Sequence, residues 1–326
     1  MSKDVFVYVE CKENAVRKTS FELLSKGREI ADSLLSNVYA VVIGHRLEDA
    51  VSSLKGFADK IIVVDNEVLE EYRWDSCTAV FEGLIKKYGP YVIIGASTAT
   101  GKDFFPRLAA RFRSPMVSDA VGIDFGDGNV RIKKPIYGGK IISHIECKGG
   151  AMVFATFRPN SFSVEKRDVN SEIIMEQMEI NRDPRLNTLS IEKSVSKKVD
   201  LQEADFIICG GRGMKGPEHF PALEEIADIL EGRVGASRAV VDSKWRDYDD
   251  QIGKSGKTVS PKLYIGCGVS GSLHHIMGMD TSKVIVAINK DPHAPVFKYA
   301  DYGIVEDLFN VLPALKEELK TVKGKA

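Results

Sequence analysis

The sequence predicts an α/β protein of two doubly wound domains, and three observations carry that expectation. In the first half of the chain, short β-rich apolar runs alternate with helical stretches, the pattern of a parallel sheet covered by helices on both faces. After a polar stretch, a second series of strands, glycine turns and helices begins at Ala204-Asp205. The chain has 326 residues, enough for two cores.

The strands of the first domain are expected at Val5–Val9, Tyr39–Ile43, Lys60–Val64 and Tyr91–Ile94, each followed by a helical segment. From about 120 to 178 the pattern changes to strands without helices: Asn129–Ile136, Lys140–Cys147, Ala151–Thr156 and Ser171–Met178. These are expected to form an antiparallel extension of the first sheet. Residues 181–198 are polar and rich in Asn, Asp, Pro and Ser, and read as a linker. The expected organisation is a first domain over 1–190, a linker or hinge over 191–203, and a second domain over 204–326.

In the second domain, strand Phe206–Cys209 runs into Gly210-Gly211-Arg212-Gly213. A helix follows with Pro221 near its start, Leu223, Ile226, Ala227 and Leu230 on one face, and Gly232 at its end. Residues 263–291 are the most informative stretch. Leu263–Ile265 is a strand, a Gly/Ser loop leads to a short helix beginning near Gly271, and strand Val284–Ile288 ends on Asn289 and Asp291. Such a unit lays a nucleotide phosphate on helix-terminal amides. The closing helix, from about Glu306, carries Leu308, Val311, Leu312, Leu315 and Leu319 at helical spacing, which reads as core in preference to a partner interface.

Composition narrows the function classes. Apolar residues make up 44% and charged residues 28%, ordinary for a globular protein. The net charge of −1 offers no basic field for nucleic-acid binding. No apolar run approaches the ~20 residues that span a bilayer. The N-terminus enters a strand at once, which leaves no room for a targeting peptide and leads to the expectation of a cytoplasmic protein. The five cysteines, Cys11, Cys77, Cys147, Cys209 and Cys267, are scattered without a C-x-x-C pair, so reduced thiols are expected and a metal or iron–sulfur site is not. Protease, hydrolase-elbow and zincin signatures are absent, and the carboxylates follow solvated helix faces.

Two glycine motifs compete for a phosphate. Gly211-Arg212-Gly213-Met214-Lys215-Gly216 fits G-x-G-x-x-G, yet its helix starts late, and a plain tight turn fits as well. Gly95 to Asp103 looks like a P-loop but has five residues between its glycines, where four are required, and ends on Asp103 instead of a Ser or Thr. The stronger signal is cumulative. Gly235-Ala236-Ser237-Arg238, Gln251 to Lys257 and the 263–291 unit all lie in one domain, in loops that gather at the carboxyl edge of a doubly wound sheet. Amides and small hydroxyls there suit a pyrophosphate, and the planar cation of Arg238 suits a ring that gains negative charge on reduction.

The segments GGRG, VGASRAVVD, GKSGKTVSP, LYIGCGVSG, AINKD and ADYGIVEDLF resemble those of electron transfer flavoprotein alpha subunits, and the resemblance extends over nearly the whole chain. It implies an FAD-binding, Rossmann-like second domain behind a nucleotide-binding-like first one. Arg212, Gly213, Ser237, Arg238, Gln251, Gly253, Ser255, Gly256, Ser270, Gly271, His274, His275, Asn289 and Asp307 are the cofactor-binding residues it implies. Arg238 would lie over the flavin ring, Ser255 would face flavin N5, His275 would bond near O2, and Asn289 and Asp307 would hold the adenosine end.

The implied protein is an electron carrier with no catalytic residues of its own. It would pair with a beta subunit bearing AMP or a second FAD, and exchange electrons with flavoprotein dehydrogenases such as acyl-CoA dehydrogenases. The chain departs from the family where Ser255 replaces a usual Thr, and where Lys254 and His274 replace common Gln. Lys254 facing solvent is the preferred reading over Lys254 facing flavin, and a plain polar contact is preferred for His274 over a titrating one. Two rivals stay open: an NAD-dependent enzyme on the second domain, and a nucleotide-binding regulatory module on the first.

Overall fold

The computed structural model describes residues 3–126, 129–148, 152–167, 169–180, 182–186, 188–190 and 199–323. The chain separates into two compact units, Met1–Pro135 with Ile142–Ser194 and Ile136–Ile141 with Val195–Ala326.

The first unit opens with β1 (Val5–Val9), a small hairpin of β2 (Cys11–Lys12) and β3 (Ala15–Val16), α1 (Lys18–Leu34), β4 (Val38–Gly44), α2 (Glu48–Ser53) and β5 (Lys60–Asp65). It continues with α3 (Trp74–Tyr88), β6 (Val92–Ala96), α4 (Ala99–Arg111) and the strands β7 (Met116–Ala120), β8 (Gly122–Gly126), β9 (Asn129–Ile136), β10 (Ile141–Cys147), β11 (Val153–Phe157) and β12 (Glu172–Met175). A seven-stranded sheet has the order β12-β5-β4-β1-β6-β11-β7, and all its pairings are parallel. The alternation of β1 shows why it is buried throughout. Val5, Val7 and Val9 enter one core cluster, while Phe6 and Tyr8 enter another on the opposite face.

The expected antiparallel extension is corrected here. β8, β9 and β10 form a separate three-stranded sheet, with β8 and β9 antiparallel. β11 instead inserts between β6 and β7, and β12 pairs with β5, both within the parallel sheet. The reason lies in burial: every residue of β11 is buried, so Val-Phe-Ala-Thr-Phe needs cover on both faces, which a central parallel strand provides. Ala151, the first residue of that expected strand, lies outside the described residues. So do 181, 187 and 191–198 of the expected linker.

The second unit comprises β13 (Phe206–Gly210), α5 (Phe220–Leu230), β14 (Arg233–Ala236), α6 (Arg238–Asp242), β15 (Leu263–Cys267), α7 (Leu273–Ile276), β16 (Ile285–Ile288), β17 (Tyr302–Ile304) and α8 (Leu308–Lys323). Its sheet runs β14-β13-β15-β16-β17, again wholly parallel. Ile208, Val234, Ile265 and Cys267 face α5 and α8, whose Leu223, Ile226, Leu308 and Leu312 complete that core. Ile207, Cys209 and Tyr264 face the other way, in a cluster that includes Leu201. Val311, Leu315 and Leu319 pack against the α5–α8 core as partly buried residues. α5 ends on Glu231, which takes the left-handed conformation at φ 56°, one residue before the expected Gly232.

Candidate functional site

The carboxyl ends of β13, β14 and β15 deliver their loops to one cleft of about 530 Å³. Two of these loops pack backbone on backbone. Gly211 N donates to the Cys267 carbonyl at 2.9 Å, and Gly213 N donates to the Gly268 carbonyl at 3.1 Å. A Cβ on Gly213 would lie 2.6 Å from Gly268 Cα, and Gly268 itself has φ +63°, so side chains are barred from this contact. The helix after β13 begins only at Phe220, beyond two short 3₁₀ turns, so the Gly211–Gly216 motif is a tight turn and lacks the immediate helix of a dinucleotide fingerprint.

β14 leads into Ser237, which is extended and precedes α6, its N–H donating to the Gly210 carbonyl at 3.0 Å. Arg238 opens that helix with its side chain 67% exposed and Nε 3.4 Å from Asp242 Oδ2, a contact too solvated to fix the guanidinium. The 250–257 loop is held more firmly. Asp250 is buried between Arg233 (3.3 Å) and Arg246 (2.8 Å). Ile252 N donates to the Ala236 carbonyl at 2.9 Å, and Lys257 N to the Gln251 carbonyl at 2.7 Å. This loop presents Gly253, Lys254 and Ser255 to the cleft.

The loop after β15 supplies Ser270, and α7 supplies His274 and His275. Gly271 has φ +81°, and a Cβ there would meet Val296 N at 2.2 Å. Lys254 N donates to the His274 carbonyl at 2.7 Å, which ties the second of these loops to α7. Asn289, at the end of β16, donates through Nδ2 to the Val269 carbonyl at 3.0 Å and accepts from Asp291 N.

His275 differs from the other polar side chains of the lining. It is 5% exposed, with Nδ1 3.1 Å from the Ile252 carbonyl and Nε2 2.7 Å from the Tyr264 hydroxyl. Burial pushes its pKa down to about 4. Tyr264 and Cys209, fully buried beneath it, are pushed up by the same desolvation, Cys209 to about 12.

Of the residues singled out in the sequence, Arg212, Gly213, Ser237, Arg238, Gly253, Ser255, Ser270, His274, His275 and Asn289 line the cleft together. Gln251, Gly256 and Gly271 do not line it. Gln251 stands behind it, donating from Nε2 to Ser255 Oγ at 3.1 Å, while Gly256 and Gly271 shape the turns. Asp307 borders an adjoining cavity of about 130 Å³, which shares Gly213, Gly268 and Asn289 with the cleft. There Asp307 accepts the Phe309 amide at 3.0 Å, at the start of α8. Sequence reasoning left out the lining residues Asp242, Gly268, Ser272 and Asp291. Asp242, Gly268 and Asp291 sit within the quoted segments VGASRAVVD, LYIGCGVSG and AINKD and were open to discovery there.

The donor set fits an FAD. The lining carries three cations, Arg212, Arg238 and Lys254, against two carboxylates, Asp242 and Asp291. Arg212 and Lys254 make no ion pair with any described residue, so their charge is available to an anion. The size falls in the range of cofactor sites, roughly 300–1,000 Å³. Among the described residues, no group of three or more His, Cys, Asp or Glu is arranged to hold a metal ion. No helix among them is long and apolar enough to cross a membrane.

Comparison with known proteins identifies the two domains. Residues 5–182 match the electron transfer flavoprotein domain, and residues 200–280 match the electron transfer flavoprotein FAD-binding domain. The chain is 41% identical to an electron transfer flavoprotein subunit alpha of Thermoanaerobacterium thermosaccharolyticum, covering 98% of this chain and 99% of that one. It is 41% identical to the corresponding subunit of Bacillus subtilis, covering 98% of each. An acryloyl-CoA reductase electron transfer subunit beta of Anaerotignum propionicum is 34% identical, covering 99% of this chain and 97% of that one. With both domains matched and the relatives aligned end to end, the chain belongs to the electron transfer flavoprotein alpha subunit family, whose second domain takes FAD.

Proposed function

We propose that the chain binds one FAD in the cleft of its second unit and carries electrons between flavoprotein dehydrogenases, such as acyl-CoA dehydrogenases, and downstream acceptors. The observation that carries this is the convergence of Arg212, Arg238 and Lys254 on a glycine-built cleft, with two of the three cations unpaired among the described residues. Bound FAD would supply the electron-accepting ring, and the protein supplies position and charge.

In this reading Arg212 and the Gly213 and Ser270 backbones hold the pyrophosphate. Arg238, Ser237 and Ser255 attend the isoalloxazine, with Arg238 favouring its electron-rich states. Asn289 and Asp307 take the adenosine end, through the adjoining cavity. Gln251 keeps the Ser255 hydroxyl oriented by its 3.1 Å hydrogen bond. Lys254 borders the cleft with an exposed side chain, which accords with the solvent-facing reading while keeping its charge near the cofactor.

The reading carries a domain organisation and partners with it. The first unit, without Ile136–Ile141, would pair with a beta subunit bearing AMP or a second FAD, and the expected linker or hinge of 191–203 would end before Leu201, which is buried in the core of the FAD-binding unit. A cytoplasmic setting accords with the five cysteines, all free. The electron-transfer wording in the name of the A. propionicum relative supports carriage over substrate turnover.

Co-purification with the neighbouring beta subunit, followed by a visible spectrum and stepwise reduction, tests this. Flavin bands near ~450 nm that bleach on reduction support it. Two flavins per heterodimer would extend the reading to electron bifurcation. A colourless complex that cannot be reconstituted with FAD but binds NAD would replace it with the NAD-dependent enzyme.

A further inference from the structure

The first unit has a crevice of its own, at the place where a doubly wound sheet takes a ligand. β4 and β5 extend the sheet to one side of β1 and β6 extends it to the other, so the strand order reverses at β1. Beyond the carboxyl ends of β1 and β4 the crevice encloses about 120 Å³, room for on the order of four water-sized groups. Ile43, Leu47 and Leu69 give it apolar walls, and Cys77 from α3 adds to them. None of these residues lines the FAD cleft.

Two features define what it accepts. Tyr8, from β1, is 6% exposed, and its hydroxyl faces Cys77, Glu10, Cys11 and Tyr72, all of which line the crevice. The Tyr72 hydroxyl is spent on Asp103 at 2.8 Å, but that of Tyr8 has no hydrogen-bond partner among the described residues. A buried hydroxyl without a partner is costly, and this one leaves a donor and an acceptor open toward the crevice.

The second feature is charge. Glu10, Glu13 and Glu70 line the crevice, and no Lys or Arg does. Arg17 meets the charge of Glu10 at 3.0 Å, and His45 stands against Asp65 at 3.4 Å. Glu13 and Glu70 are exposed and make no ion pair with a described residue, so the mouth is negative. The P-loop-like turn after β6 adds no anion cradle. Thr98 donates to Glu10 Oε2 at 2.6 Å and accepts Gly101 N at 3.1 Å, so the protein's own carboxylate stands at the start of α4. A phosphate meets repulsion here, which counts against the nucleotide-binding module considered for this domain.

We propose that this crevice binds a small primary amine in its ammonium form, carried on a short apolar stem. The ammonium donates to the Tyr8 hydroxyl, the stem packs on Ile43, Leu47 and Leu69, and Glu13 and Glu70 draw the cation in.

Saturation-transfer NMR on the FAD-loaded complex with its beta subunit tests this, with n-butylammonium as the probe and n-butanol and inorganic phosphate as comparisons. The expected result is saturable binding of n-butylammonium that neither comparison displaces. Tyr8→Phe deletes one hydroxyl at nearly constant volume and should weaken binding on the order of tenfold, the loss of one hydrogen bond to a charged group. Glu13→Gln combined with Glu70→Gln, both at exposed positions, should weaken it as well and leave the flavin spectrum unchanged. No binding by the parent, displacement by n-butanol or phosphate, or an affinity that either variant leaves untouched would overturn the site. Should Tyr8→Phe fail to fold, the paired glutamine variant still decides.

Discussion

Burial makes His275 a pH-linked residue as well as a wall of the cleft. Its pKa falls from 6.5 to about 4 because the folded protein cannot hydrate the imidazolium. The unfolded chain binds the proton more readily, so the stabilising contribution is complete above about 6.5 and is lost as pH falls toward about 4. Its full size is on the order of 3 kcal/mol. Denaturant unfolding from neutral to acid pH should show the FAD-binding unit weakening across that window, and His275→Gln should flatten the dependence. A parent whose stability is level across the window would contradict this assignment.

Arg238 is the complementary case, an exposed cation without a firm partner. With FAD bound, Arg238→Ala should lower the reduction potential of the flavin while the cofactor remains in place. Redox titration checks this, and an unchanged potential would remove Arg238 from its proposed place at the ring. Residue identity was legible here: the local spelling of the loops marked both Arg238 and His275. The hydrogen bonds from His275 to Tyr264 and to Ile252 were not. They depend on which face of β15 Tyr264 occupies, and neighbours 11 and 23 residues away leave no local signal.

Among the structural elements, the loop from Asp250 to Lys257 has the clearest energetic logic. It has little regular structure, so its shape is set by a buried carboxylate clasped between Arg233 and Arg246, the latter also held by Glu224 at 2.6 Å. Removing the charge of Asp250 leaves two guanidinium groups with one partner fewer in a buried setting, at about 3 kcal/mol. Asp250→Asn should therefore lower the unfolding midpoint in urea and weaken FAD retention together. A second element, the turn at Gly271, allows no Cβ. Gly271→Ala would place a methyl 2.2 Å from the Val296 amide on a backbone with φ +81°, and should release FAD even where the domain stays folded. Strands β1, β4, β5 and β6 were legible because each is a short apolar run before a helix. β11 was recognisable as a strand but not as a central one, because insertion between β6 and β7 is a pairing across some 60 residues that periodicity along the chain does not encode.

For the whole molecule, the exit of the chain from the first unit is fastened. Arg73 donates to the Leu186 carbonyl at 3.0 Å and the Asp183 carbonyl at 3.4 Å, while Asp75 accepts the Asp183 amide at 2.9 Å. The Arg73 guanidinium holds the Asp75 carboxyl well below the usual carboxylate range. Segment 183–186 thus belongs to the first unit, and a hinge would start after it. Arg73→Ala should make this segment more susceptible to limited proteolysis with no change in the flavin spectrum. Equal cleavage of parent and variant would show that the clamp has no such role. At this scale the polar composition of 181–198 pointed to a linker, but nothing in it disclosed that Arg73, about 110 residues earlier, grips its first turn.

The central claim is that FAD sits on the loops that follow β13, β14 and β15. A crystal structure of the FAD-loaded complex with its beta subunit tests it most directly. The expected result is one flavin in this cleft, its pyrophosphate against the Arg212–Gly213 and Ser270 backbones and its isoalloxazine beside Arg238 and Ser255. Flavin density elsewhere in this chain, with the cleft closed by its own side chains, would contradict it.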